Sequence, residues 1–186
     1  MTKSTVLTLV GSLRAESTNQ KLAEAIALNA PENVDVVIHE SLGNIPFYNE
    51  DIDVEGQVPA AAAALRAAAS QADTLLLVTP EHNGTVPASL KNAIDWLSRP
   101  FGAGALSGKP TAVVGTAFGQ YGGVWAQDEA RKAVGIAGAE VLGDVKLAVP
   151  GSMVRFAETH PKDDAEVVEQ IKGIFDALTA TQPAAS

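Results

Sequence analysis

Short apolar runs recur along the chain, separated by stretches with helical spacing. Val6–Val10, Val34–His39, Thr74–Thr79 and Thr111–Gly115 form four such runs, and Val145–Val149 is a weaker fifth. They are rich in Val, Ile and Leu and do not alternate with polar residues. A strand with one wet face alternates, so unbroken runs suit strands buried on both faces, as in a parallel sheet. Between them, Asn19–Leu28 sets Leu22, Ala25 and Ile26 on one face, and Pro31 marks its stop. Ala60–Gln71 is an Ala-rich helix entered through Pro59. Ala88–Leu97 carries Leu90, Ile94 and Leu97 on one face, with Lys91 and Asp95 paired one turn apart. Trp125–Ala137 and Asp163–Leu178 complete the set.

Strands alternating with helices at this spacing imply right-handed βαβ units. The simplest solution is an α/β, flavodoxin-like three-layer sandwich with a five-stranded parallel sheet. At 186 residues with 46% hydrophobic and 19% charged positions, residues 1–186 are expected to form a single domain, with a loose tail from about 179.

Charge and sulfur narrow the function. A formal net charge of −9 argues against nucleic-acid and anionic-membrane partners, which need counter-charge. The absence of cysteine excludes disulfides, zinc–thiolate sites, iron–sulfur clusters and thiol redox chemistry. Any electron transfer must then run through a bound cofactor. His39 and His160 have no partner at metal-ligand spacing, so no metal site is expected. The N-terminus lacks a signal-peptide core, and no apolar run nears the ~20 residues of a membrane span. A cytoplasmic location is the expectation.

Ligands of open α/β sheets bind beyond the carboxyl ends of the strands. Three loops lie there. Gly11–Asn19 joins the first strand to a helix and offers hydroxyls at Ser12, Ser17 and Thr18, a cation at Arg14, and Asn19. A helix N-terminus has free N–H groups and about half a positive charge, so this junction can wrap a phosphate. Surface charges beyond ~8 Å are largely screened. Each local charge-assisted hydrogen bond contributes roughly 1.5–3 kcal/mol, so the local cradle outweighs the acidic surface. Ser17, Thr18 and Asn19 also suit a plain helix cap. The dinucleotide fingerprint is absent, and Pro110 after Gly108-Lys109 rules out a P-loop.

The second loop, Pro80-Glu81-His82-Asn83-Gly84, is held between prolines and can present backbone donors and acceptors to a flat ring. A simple strand-to-helix turn is the other reading. The third, Thr116–Val124, contains Gly119, Gly122 and Gly123 with Phe118 and Tyr121.

Taken together, Gly-Ser-Leu-Arg-x-x-Ser-x-Asn and Pro-Glu-His-Asn-Gly-x-x-Pro-x-x-Leu-Lys-Asn-Ala-Ile-Asp-Trp resemble the NADPH-dependent FMN reductase family, which includes chromate/quinone reductases and small azoreductases. The resemblance spans roughly 6–131 and extends to Ile45–Asp51. It implies that Ser12, Arg14, Ser17, Thr18 and Asn19 hold the FMN phosphate. It implies that Pro80, Glu81, His82, Asn83 and Gly84 line the isoalloxazine, and that Thr116, Gly119 and Gly122 approach it. The family often has Tyr where this chain has His82, a smaller and titratable ring. The implied activity is FMN-dependent oxidation of NAD(P)H, with hydride passed through bound FMN to quinone, azo, flavin or metal-oxyanion acceptors. No side chain is expected to act as a nucleophile. A flavodoxin-like FMN electron carrier is the alternative. The resemblance also implies a homodimer or homotetramer, with Leu90–Leu97 and Trp125–Arg131 as contact helices. Trp96 and Trp125 are candidates for that interface or for the chain's own core.

Overall fold

The computed structural model describes residues 3–180, with side chains to 178. Parallel strands β1 (Ser4–Val10), β2 (Val34–Ile38), β3 (Thr74–Val78) and β4 (Pro110–Thr116) form one sheet in the order β2-β1-β3-β4. Helices α1 (Thr18–Leu28), α2 (Ala60–Gln71), α3 (Ala88–Leu97) and α4 (Val124–Ile136) provide the crossovers. Two short strands, β5 (Glu140–Val141) and β6 (Ala148–Val149), share the fifth position beside β4. A short α5 (Ser152–Arg155) and the long α6 (Ala165–Ala180) follow. The sheet is flavodoxin-like, as the pattern predicts. The expected loose tail from about 179 begins within α6, which runs to Ala180, and the rest of it lies outside the described residues.

The unbroken apolar runs have a direct explanation. Val6 and Val10 of β1, Leu76 and Val78 of β3, and Ala112 and Val114 of β4 pack with α1 and α6 on one face. Their neighbours Leu7, Leu9, Leu75, Leu77 and Val113 pack with α2, α3 and α4 on the other. Two cores therefore sandwich the sheet, and neither face of a central strand meets water.

The fifth strand departs from expectation. A continuous strand over Val145–Val149 is not formed. Glu140–Val141 pairs with Pro110–Thr111, the chain then leaves the sheet, and Ala148–Val149 returns to pair with Gly115–Thr116. The interruption begins at Leu142-Gly143-Asp144, where Val145 N–H turns back to the Leu142 carbonyl. Leu142, Val145 and Leu147 all remain buried in the core beside α1 and α6. Apolar burial thus draws the segment inward at the expense of ladder hydrogen bonds. Helix α6 likewise starts later than Asp163. Residues Pro161–Asp163 form a single 3-10 turn, and the Asp164 carboxylate accepts from Val167 N–H. A bidentate bond from Arg155 holds the Asp164 carboxyl below its ordinary range, against the opposing effect of burial.

The interruption leaves a gap opposite Val113. Thr111 still accepts from Leu142 N–H, and Gly115 N–H still donates to Leu147, but Val113 lies between them. Arg131 of α4 fills the place, donating from Nη2 to the Val113 carbonyl at 2.7 Å. The same Nη2 also donates to Gln127 Oε1 and Nη1 reaches Asp128, while the buried Nε has no partner among the described residues. A side chain here does the work of a strand.

Segment 45–53 is pinned to α3 by buried Asn92, whose amide donates to the Ile45 and Pro46 carbonyls and accepts from Tyr48 N–H. Trp96 donates its indole N–H to Pro46 and meets Tyr48 edge-on, with ring centroids 5.0 Å apart. Trp96 is fully buried, so it belongs to the core. A bidentate Arg66 bond to Asp53 closes the segment and depresses that carboxyl's pKa.

Replacing Arg131 with Met tests the gap. The Val113 carbonyl would lose its partner, costing about 2 kcal/mol, which is a drop in melting temperature of roughly 4–8 °C for a chain of this size. An unchanged melting curve would show that the guanidinium contributes nothing there.

Candidate functional site

Chain direction reverses between β1 and β3. From β1 the chain moves outward to β2, and then crosses back over β1 to β3. The loops leaving β1 and β3 therefore diverge and open a crevice at the carboxyl ends of the strands. A cleft of about 540 Å³ occupies this crevice. Of the residues singled out in the sequence, Ser12, Arg14, Ser17, Thr18, Asn19, Pro80, Glu81, His82 and Thr116 line it. Asn83, Gly84, Gly119 and Gly122 are not among its walls.

Ser17 caps α1. Its Oγ accepts from Gln20 N–H at 3.1 Å, which leaves its own proton free to donate outward. The N–H groups of Thr18 and Asn19 fall in the first helical turn, where helix geometry supplies no carbonyl. The hydroxyls of Ser12 and Thr18 add further donors on the cleft wall. Arg14 is the one Lys or Arg among the lining residues. Among the described residues its guanidinium touches no carboxylate, and it lies against the Met153 sulfur at 3.6 and 3.8 Å.

Asn19 does not present its amide to the cleft. It is buried, donating from Nδ2 to the Thr116 carbonyl at 2.8 Å and accepting from Thr116 N–H at 3.0 Å. This reciprocal pair ties the start of α1 to the end of β4. The Thr116 hydroxyl is also committed, donating to the Val149 carbonyl at 2.8 Å. Both residues shape the cleft by fixing the ends of β4 and β6 relative to α1.

The second loop ends in a tight turn. His82 and Thr85 exchange backbone hydrogen bonds at 3.0 and 3.1 Å around Asn83 and Gly84, which have φ of 52° and 77°. Two successive left-handed residues make a type I′ turn, for which Asn-Gly is the preferred pair. The turn holds Pro80–His82 as the cleft wall while Asn83 and Gly84 stand exposed at its tip. Glu81 reaches across to α4, where its carboxylate accepts from Ala126 N–H at 3.2 Å. Helix α4 has no side-chain cap of its own, since Gly123 stands at that position. Glu81 therefore caps α4 from another loop, with its negative charge at the positive helix end.

Gly122 serves packing. Its φ is 62°, and a Cβ there would lie 2.5 Å from the Ala148 backbone carbon. Its carbonyl accepts from Gln127 Nε2, and Gln127 Oε1 accepts from Arg131. The third loop is thus fixed by the network that fills the β-sheet gap. Gly119 stands exposed, with open space where a Cβ would lie, and its carbonyl accepts from Gly122 N–H at 3.2 Å.

Ser152 and Met153 also line the cleft, and sequence reasoning missed them. They follow β6, so they too lie beyond a strand's carboxyl end. That rule could have found them, but the fifth strand carried the weakest signal. Ser89, another unforeseen wall residue, donates its hydroxyl to the Gly11 carbonyl at 2.8 Å and joins loop two to loop one.

The comparisons with known proteins agree with this geometry. The NADPH-dependent FMN reductase family model matches residues 4–153. The chain belongs to this oxidoreductase family. It is 46% identical over 129 residues to a quinone reductase of Pseudomonas putida, covering 69% of this chain and 68% of that one. It is 37% identical over 177 residues to a quinone reductase of Escherichia coli K12, covering 95% and 90% of the two chains. Among solved structures, FerB from Paracoccus denitrificans, a flavoenzyme NAD(P)H:(acceptor) oxidoreductase, superposes with a TM-score of 0.84 at 29% identity, covering 95% and 96%.

Removing the Asn19 amide tests its positioning role. Asn19→Ala loses two buried hydrogen bonds and should lower unfolding free energy by about 1–3 kcal/mol. Asn19→Asp should be no better, because a carboxylate would face the Thr116 carbonyl. Chemical denaturation of the three proteins decides this, and full stability in the Asp variant would count against the bidentate pair.

Proposed function

We propose that the protein is an FMN-dependent NAD(P)H:quinone reductase whose cofactor binds in the cleft between the first three loops. The observation that carries this reading is the phosphate cradle at the start of α1. Free helix N–H groups, the hydroxyls of Ser12, Ser17 and Thr18, and an uncompensated Arg14 converge there, while the nearest acidic side chain on the wall, Glu81, is bound to α4. This donor-rich set suits a phosphate monoester. The cleft's volume falls within the few hundred to about 1,000 Å³ usual for cofactor sites. The quinone reductase relatives support the choice of acceptor.

When bound, FMN supplies the capacity to take two electrons from a nicotinamide and return them to an acceptor. The chain's own residues bind and orient. The cradle holds the phosphate end, and the braced Pro80–His82 wall presents a rigid edge for the ring system. His82 stands exposed on that wall and can face the ring or an incoming substrate. Asn83, Gly84, Gly119 and Gly122 then act by holding loop shape.

The same reading includes a cytoplasmic homodimer or homotetramer. A larger hollow of about 620 Å³ lies between α3, the 98–108 loop and α4. Phe101 is 90% exposed, Ile136 79% and Trp125 54%. Trp125, Glu129, Lys132 and Ile136 recur on one side of α4 at helical spacing, with both charge signs between apolar ends. A second copy of the chain, offering the same mixture, is the occupant this face fits.

Two experiments test these statements. Purified protein with FMN should oxidise NAD(P)H in the presence of a benzoquinone, and Arg14→Gln should weaken FMN binding about tenfold or more. Turnover no faster than with free FMN would sink the enzyme reading. In sedimentation, the wild type should run as a dimer or larger and Ile136→Glu should shift it toward monomer; a wild-type monomer would refute the interface.

A further inference from the structure

We infer that Met153 is an oxidation site that sets the affinity of the anion cradle. This rests on reading the cleft as a phosphate site. Arg14 is the cradle's cation, and the contact that holds its guanidinium is the Met153 sulfur, at 3.6 and 3.8 Å. A thioether is a weak acceptor. It keeps Arg14 beside the cleft yet releases it readily to a phosphate.

Met153 is 48% exposed, so a small oxidant in solvent reaches it. The sequence has no cysteine and two methionines, Met1 and Met153. Past its first residue, the chain therefore carries all its sulfur at this one wall of the cleft. Hydrogen peroxide finds no thiol to react with first.

The step is an oxygen transfer. The sulfur lone pair attacks one peroxide oxygen, the O–O bond breaks, a sulfoxide forms and the second oxygen leaves as water. Sulfur loses two electrons and the peroxide gains them. A quinone-reducing site stands close to a source of this oxidant, because dioxygen reoxidises hydroquinones and is itself reduced to hydrogen peroxide.

The product opposes an anion in two ways. The sulfoxide oxygen is a strong acceptor with no proton to donate, so it competes with phosphate for the guanidinium fork. It also turns the negative end of a dipole toward a cradle built of donors. Oxidation therefore weakens anion binding, and reduction of the sulfoxide restores it.

The test uses the full chain. Protein is treated with hydrogen peroxide, which is then removed with catalase, and mass spectrometry confirms one added oxygen on the Met153 peptide. The FMN dissociation constant is read from quenching of flavin fluorescence. Oxidation should raise it about tenfold, the equivalent of one charge-assisted hydrogen bond. A methionine sulfoxide reductase should reverse the rise. In Met153→Leu, the ratio of treated to untreated constants should stay near one, whatever the starting affinity. An unchanged constant in fully oxidised protein overturns the inference, as does a Met153 that resists oxygen uptake. Untreated protein that fails to bind FMN would instead overturn the reading of the cleft.

Discussion

The Asn19–Thr116 pair is the interaction on which the cleft depends. One buried amide satisfies both backbone groups of a residue at the end of β4. It thereby fixes the N-terminus of α1 against the middle of the sheet. The helix dipole and its free N–H groups gain a fixed direction only because that helix cannot slide. The Thr116 hydroxyl carries the constraint on to Val149, so the wall formed after β6 is set by the same residue. In a site that works by orientation, rigidity of this kind is part of the chemistry.

A second brace runs across the other side of the cleft. Glu81 joins the turn after β3 to the start of α4, and Gln127 joins α4 to the third loop through Gly122. Arg131 then connects Gln127 to the sheet edge at Val113. The loops are held by side chains that bond to backbone, which leaves few of them free to open.

Most of this fold was legible in the chain. Unbroken Val, Ile and Leu runs revealed β1, β3 and β4 because both faces of those strands are buried. Edge positions carried less. At the fifth position, inward-pointing Leu142, Val145 and Leu147 look like a strand by composition, yet they are buried while the ladder breaks between Leu142 and Leu147. The site divided in a similar way. Ser12, Arg14, Ser17 and Thr18 were readable because polar residues at a strand-to-helix junction have a stated reason to be there. Asn19 and Thr116 line the cleft, but the Asn19 amide turns inward to the Thr116 backbone, 97 residues away in sequence. No local pattern announces such a pairing. Gly122 was legible as a glycine that matters, whereas the surface it must approach, Ala148, is set by a strand the sequence barely showed.

The broken fifth strand has an architectural consequence. Its two halves are anchored separately, Glu140–Val141 on Pro110–Thr111 and Ala148–Val149 on Gly115–Thr116. Residues 142–147 between them bear little of the sheet's pairing, and loop length is entropically cheap to change. Its exposed turn at Gly143-Asp144 is a natural point for insertions. Extra residues there would grow outward from the sheet while both anchors held, leaving the wall at Ser152 in register with the rest of the cleft.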